Sequence, residues 1–288
     1  MIKATRTDDN AFQINLDARG CKKSWEQLVF LRSDAHHDNA HCREGLEREH
    51  LEEAKRRNAI VLDGGDLFCA MQGRHDPRRS NEAIKNKFQG KSNFFDLIVD
   101  DAAEFYAPYA DRMLVFANGN HETSVLKNGG IDLTDNLCQR LNLEHGGNCH
   151  AGKYSNYIRF NIRFSKTQTK NVTLYHNHGH GGGGVVTDGV IQFKRLVASH
   201  DADIYWMGHI HKMNSSTHVL DYLDAGGRIA QKRRSFVRTS TYKDEHGNGI
   251  GGWSVEKGMG PVPLGGTWLR FTVRNNQVRW TVTETGDL

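Results

Sequence analysis

The apolar residues of this chain gather in short runs separated by polar or charged stretches. Leu28-Val29-Phe30-Leu31, Ile60-Val61-Leu62, Met113-Leu114-Val115-Phe116 and Ile204-Tyr205-Trp206-Met207 are unbroken runs of strand length. Runs of this kind predict strands buried on both faces. Residues 157–164 alternate with period two and predict a half-buried antiparallel strand. Residues 11–16 alternate in the same way and predict a short edge strand, and residues 172–175 predict another strand. Residues 44–58 are charged but compatible with a helix, with Leu46 and Leu51 as sparse anchors. Residues 93–112 place Phe94, Phe95, Leu97, Ile98, Phe105 and Tyr106 on one helical face. Residues 188–200 predict a third helix. The last third of the chain reads as β, with a strand at 234–242 and a hairpin of 268–273 and 277–282 around Asn275-Asn276. Strand–helix units followed by antiparallel strands predict an α/β (α+β) sandwich of two sheets flanked by helices.

Five short groups of metal-ligand residues stand near the ends of these runs. They are Asp34-Ala35-His36, Gly65-Asp66, Gly119-Asn120-His121-Glu122 (read as a turn), His178-Gly179-His180 and Gly208-His209-Ile210-His211. Oxygen donors mixed with imidazoles suit borderline divalent ions. The absence of cysteine from the groups argues against a structural thiolate zinc site. Ligands at the carboxyl ends of several strands converge on one edge of an open sheet. The pattern therefore points to two ions side by side. A pair about 3.5–4 Å apart can clamp a phosphate and acidify water for in-line attack.

The ordered set Asp-x-His, Gly-Asp, Gly-Asn-His-Glu, His-Gly-His, Gly-His-x-His resembles the calcineurin-like metallophosphoesterase superfamily, over roughly residues 28–211. The resemblance implies a four-layer α-β-β-α sandwich of two mixed β-sheets. It implies that Asp34, His36 and His211 bind one metal and that Asn120, His178 and His209 bind the other. Asp66 would bridge the two. His121 would be the non-ligand histidine that contacts phosphate and protonates the leaving oxygen. His176 and His180 compete with His178, and Asp63 with Asp66; the motif favours His178 and Asp66. His37 and Asp38 are read as supporting or exposed. In many relatives an acidic residue three places after the bridging Asp orients the catalytic histidine. Here that place holds Cys69, so His121 needs another partner, such as Asp63 or a backbone carbonyl.

Composition narrows the class. The chain has 288 residues, a net charge of +4 and five cysteines, with a pI near 8.7 and a mean hydropathy of -0.65. No apolar stretch approaches a membrane span, and the scattered, odd cysteines predict reduced thiols and a cytoplasmic protein. A single domain over 1–288 is expected, with an N-terminal extension at 1–27, a lid insertion at 71–92 and a β-rich part at 212–288. Arg74, Arg78 and Arg79, near His75, are candidate contacts for an anionic substrate. The glycine run 181–184 is a candidate phosphate approach, and Lys232-Arg233-Arg234 reads as a surface face.

The expected function is metal-dependent phosphodiester hydrolysis on a phosphate ester, DNA or RNA included. Gly64-Gly65-Asp66-Leu67-Phe68 is similar to the repair-nuclease branch of the superfamily. The expected cofactors are two divalent ions, manganese first, with iron, zinc, cobalt or nickel as alternatives. A phosphomonoesterase is the second reading, because Gly119-Asn120-His121-Glu122 is close to the form found in protein phosphatases. Against it, Phe68-Cys69-Ala70 stands where those enzymes carry Asp-Arg-Gly. A catalytically dead binding scaffold is the third. No protein partner is implied.

Overall fold

In the computed structural model, which describes residues 2–19, 24–72, 83–182, 189–247, 252–275 and 277–285, the unbroken apolar runs become interior strands of two sheets. One sheet holds β3 (Trp25–Arg32), β4 (Ile60–Asp63), β5 (Met113–Phe116), β6 (His150–Ala151), β12 (Thr267–Arg274) and β13 (Gln277–Glu284), in the order β13-β12-β3-β4-β5-β6. The other holds β1 (Ala4–Asp8), β2 (Ala11–Asp17), β7 (Ser155–Arg163), β8 (Thr169–Asn177), β9 (Ile204–Met207), β10 (Asn214–Leu223) and β11 (Ile229–Arg238), in the order β1-β2-β7-β8-β9-β11-β10.

Alternation along each strand divides its side chains between two cores. Val29, Leu31, Ile60 and Leu62 point between the sheets and meet Ile158, Phe160, Leu174, Ile204 and Trp206 there. Phe30, Val61 and Phe116 point outward beneath α1 (Glu44–Arg56), α2 (Phe94–Tyr106) and α4 (Leu133–Glu144), packing with Leu51, Ile98 and Leu137. On the far side α5 (Val190–Ser199) lays Phe193 against Tyr205 and Phe236. The result is a four-layer α-β-β-α sandwich of two mixed sheets.

The structure differs from the sequence reading in three places. Residues 11–16 are not an edge strand: β1 pairs antiparallel with β2 and covers it, while β2 pairs in parallel with β7 on its other side. Gly119-Asn120-His121-Glu122 is not a turn but the start of α3 (Asn120–Gly129). The strand expected at 234–242 begins earlier, as β11, because it pairs along its whole length with β10, a strand the sequence reading did not single out. Among the described residues no helix is long and apolar enough to cross a membrane.

Beneath the carboxyl ends of β3 and β4 lies a fully buried ionic cluster. Arg32 contacts Glu47 at 2.7 Å and Asp63 at 3.1 Å, and its guanidinium donates to the Tyr106 hydroxyl. His37 sits beside the same Glu47 and pairs with Asp101. One guanidinium between two carboxylates favours one of them. Burial alone would raise Glu47, but Arg32, with His37 and Tyr106, brings it down to about 2. Asp63 has less help, and burial lifts it to about 7 despite Arg32. Because the folded value of Glu47 lies below its ordinary 4.5, its contribution is present above that pH and is lost as pH falls toward 2. Glu47→Ala leaves Arg32 under-compensated in the interior and is expected to cost about 3–5 kcal/mol. Urea unfolding at neutral pH measures this; a loss below about 1 kcal/mol, typical of an exposed pair, would show that the cluster holds little.

Candidate metal centre

The strands deliver their ends to one place. β3, β4 and β5 run parallel and carry Asp34 and His36, Asp66, and Asn120 and His121 just beyond their carboxyl ends. β8 and β9, parallel in the other sheet, carry His178 and then His209 and His211. Backbone bonds lace these loops together. Asp34 N–H donates to the Gly65 carbonyl at 2.8 Å, and His36 N–H to that of Asp66 at 3.0 Å. Gly208 N–H donates to the His178 carbonyl at 3.0 Å. The two sheets are then joined by His209 N–H, which donates to the Asp34 carboxylate at 3.0 Å.

Seven side chains converge in this seam. Asp34, His36 and His211 form one group whose ligand atoms lie within 4.8 Å of one another; Asp66, His178 and His209 form a second. His36 Nε2 faces His211 Nε2 at 3.3 Å, and His211 Nε2 lies 3.4 Å from Asp34 Oδ1. His178 Nε2 lies 3.1 Å from Asp66 Oδ2 and 4.0 Å from Asp34 Oδ1, bridging the groups. The Asn120 amide oxygen meets His209 Nδ1 at 2.8 Å.

This donor set fits divalent cations. His36 Nε2 and His211 Nε2, turned toward each other beside the buried Asp34 carboxylate, offer two imidazole donors and an oxygen donor at one place. His178 Nδ1 is bonded to the Gly64 carbonyl at 2.8 Å, which turns Nε2 toward the carboxylates in the way outer partners orient metal-binding imidazoles. The carboxylates and the burial act on the two imidazoles in opposite directions. Burial would lower the His178 imidazole, yet the Asp66 and Asp34 carboxylates raise it to about 10. His36 goes the other way, pushed well down by burial and by His121 and His211.

Local backbone geometry sets these side chains apart. Among the described residues, eight non-glycine residues have positive φ, and five of them are Asp34, His36, Asp66, His209 and His211. The left-handed conformation costs roughly 1–2 kcal/mol per residue, and such strain gathers where function over-determines the backbone. The preceding glycines follow from close approach. A Cβ on Gly119 would stand 2.0 Å from Asp66 Oδ1, and one on Gly208 would stand 2.4 Å from Asp34 Oδ2. Each of these two glycines makes room for another group's carboxylate.

His121 is partly buried at the start of α3. Its backbone N–H donates to Asp66 Oδ1 at 2.9 Å. Its Nδ1 meets the backbone carbonyl of Cys69 at 2.5 Å, with Nε2 3.8 Å from Asp66 Oδ2. The orienting partner is thus a main-chain oxygen. That oxygen is itself held in place: the Asp38 carboxylate accepts the N–H groups of Cys69 at 2.5 Å and Ala70 at 2.8 Å. Glu122, also buried, accepts from Asp66 N–H, Phe68 N–H and Gly119 N–H at 3.0, 2.9 and 2.8 Å. Sequence reasoning left Asp38 as supporting or exposed and gave Glu122 no such task. For Glu122 a signal existed, since Glu three places after a helix cap is a capping-box position. Because Cys69 meets His121 through its carbonyl, Cys69→Ala is expected to leave the divalent-metal affinity of the chain within about threefold of the parent, a change of well under 1.4 kcal/mol. The Cys69 thiol does lie near His36 and His121, so loss of bound metal in that variant would make the thiol a ligand.

The rival candidates fall elsewhere. Asp63 pairs with Arg32 and accepts Gly65 N–H at 3.0 Å. His176 is buried against Trp206 and bonded to the Gly64 carbonyl and Asn156. His180 is exposed. His37 and Asp38 are both buried. Arg74, His75, Arg78 and Arg79, with Gly183 and Gly184, lie outside the described residues.

No family model and no curated protein matches this chain. Solved structures of similar fold include GAP50, the anchor in the inner membrane complex of Plasmodium, at 10% identity and a TM-score of 0.43, covering 91% of this chain and 85% of that one. A metallophosphoesterase from Sphaerobacter thermophilus is 12% identical, with a TM-score of 0.33 and coverage of 90% and 88%. A Vps29 double mutant from Entamoeba histolytica is 13% identical, with a TM-score of 0.24 and coverage of 63% and 88%.

Proposed function

We propose that this chain is a divalent-cation-dependent phosphoesterase that hydrolyses phosphodiesters, single-stranded nucleic acid among them. The observation that carries the reading is the convergence of two ligand groups on the seam between the sheets, with Asp34 and Asp66 at its centre. In this reading Asp34, His36 and His211 hold one ion, Asn120, His178 and His209 hold the other, and Asp66 touches both. Bound cations supply positive charge against the phosphoryl oxygens and acidify water.

The chain's own residues do the rest. The loops are pre-set by strained backbone and interlocked hydrogen bonds, so the ligands need little reorganisation. The Cys69 carbonyl fixes the His121 ring, and Nε2 carries the proton that passes to the leaving oxygen. Buried Asp38 and Glu122 keep the Cys69 carbonyl and the Asp66 loop in register. Arg74, Arg78 and Arg79 are the substrate-backbone contacts of this reading. The diester preference is supported by the stretch Gly64-Gly65-Asp66-Leu67-Phe68 and by the net charge of +4.

Metal analysis of the purified chain, with turnover of bis(p-nitrophenyl) phosphate, p-nitrophenyl phosphate and single-stranded DNA in manganese, tests the proposal. Bound divalent metal and diester turnover are expected. Activity on the monoester alone would make it a phosphomonoesterase. Neither metal nor turnover would leave a binding scaffold.

A further inference from the structure

The hairpin of β10 and β11 reaches past the rest of its sheet. β11 pairs with β9 only over Ser235–Arg238, whereas β10 pairs with β11 from Asn214 to Leu223. Residues 219–223 and 229–233 are therefore a two-stranded ribbon beyond the last supporting strand. Such a ribbon by itself is marginal in water.

This one carries exposed apolar side chains on both faces. Val219, Leu223 and Ile229 share one face, and Leu220 and Tyr222 share the other. Leu223 is 70% exposed and its cross-strand partner Ile229 is 78% exposed. Among the eleven exposed large hydrophobics of the described residues, these five stand together. The cations of β11 have partners within the chain: Arg234 pairs with Asp201, Lys232 with Asp201 and Asp203, and Arg233, itself exposed, donates to Thr217 and lies over Trp280.

β10 is the last strand of its sheet. Folded monomers protect such an edge with lysine, proline or a bulge, or keep it short. β10 runs ten residues in unbroken register with β11, and it contains no lysine, arginine or proline and one carboxylate, Asp221.

We propose that this edge binds a second copy of the chain, β10 against β10 in antiparallel pairing, joining two seven-stranded sheets. The sequence of the strand is what selects a copy of itself. A two-fold axis at Val219 sets Val219 against its own counterpart, Leu220 against His218, Asp221 against Thr217 and Tyr222 against Ser216. No like charges are opposed, and a carboxylate meets a hydroxyl. An axis at Asp221 would oppose two carboxylates and is disfavoured. The face-preserving axis also brings Leu223 and Ile229 of both copies to the same side of the joined sheet. The proposal is independent of the phosphoesterase reading, since none of these residues belongs to the metal centre.

Light scattering on the full chain at up to about 100 µM, well above a micromolar dissociation constant, should give twice the monomer mass of 32.5 kDa. Val219→Lys, which opposes two ammonium groups at the axis, should run as a monomer with unchanged circular dichroism and unchanged phosphoester turnover. Val219→Cys should form a disulfide-linked dimer on mild oxidation, with the parent chain as control for the native thiols. A parent chain that stays monomeric, a Val219→Lys variant that stays dimeric, or failure of Val219→Cys to cross-link would each overturn the proposal. So would a monomer whose hairpin is shielded only on addition of an oligonucleotide, which would assign the surface to nucleic acid.

Discussion

Asp66→Asn is expected to remove phosphoester turnover and to strip the metal centre, while leaving the fold intact. The exchange keeps the shape of the side chain and replaces one carboxylate oxygen by an amide nitrogen. Asp66 receives the His121 backbone N–H on Oδ1 and faces His178 on Oδ2. An amide can accept on one side only, so a donor would confront a donor or an imidazole on the other. The amide also carries no charge to balance cations. Metals in such sites supply several kcal/mol to the transition state, so their loss corresponds to about 10³-fold or more in rate. Metal content, circular dichroism and turnover of bis(p-nitrophenyl) phosphate are the measurements. A folded variant with metal bound and activity within tenfold of the parent would remove Asp66 from the centre.

Under the proposed function, His121→Ala separates proton delivery from metal binding. The ring is tied to the Cys69 carbonyl through Nδ1, and His121 does not belong to the two groups that surround Asp34 and Asp66. The variant is expected to keep its metal and to lose about 10²–10⁴-fold in kcat, the usual range for a general acid. The size of the loss should depend on the leaving group. An ester releasing p-nitrophenolate, a good leaving group, should lose least, and one releasing an alkoxide should lose most. Equal losses on both would mean that His121 only positions phosphate. Loss of metal would mean that it is a ligand.

Much of this arrangement was legible because its signals are local. The runs around Val29, Val61, Val115 and Tyr205 are buried on both faces, and unbroken apolar sequence is the mark of that environment. The metal-ligand groups follow those strands directly, so their order along the chain survives into space. β10 was not legible: its apolar residues, Val219, Leu220, Tyr222 and Leu223, follow no single alternation and lie exposed, so they do not mark a buried strand. β1 gives no signal for the same reason, with four of its five residues exposed, and without it β2 reads as an edge. Strand order depends on which neighbours pair, and alternation within one strand carries no information about that.

The supports of the site were harder to read than its ligands. The Cys69 carbonyl, the Asp38 clasp and the Glu122 cap all act on main-chain groups, which every residue has. A side-chain motif announces side-chain chemistry and says little about a carbonyl. Cys69 stands where the resemblance implies a carboxylate, and a backbone oxygen meets the His121 ring instead.

The metal-ligand side chains hang from different halves of the protein. Asp34, Asp66 and Asn120 leave the six-stranded sheet, whereas His178, His209 and His211 leave the seven-stranded one. Under the proposed assignments, cation occupancy and cohesion of the two layers are thermodynamically linked. Free cation at a hundred times its dissociation constant would add about 2.7 kcal/mol to the folded state. Scarcity of the ion would therefore act first as a structural stress, felt in thermal tolerance and resistance to proteolysis as much as in catalysis.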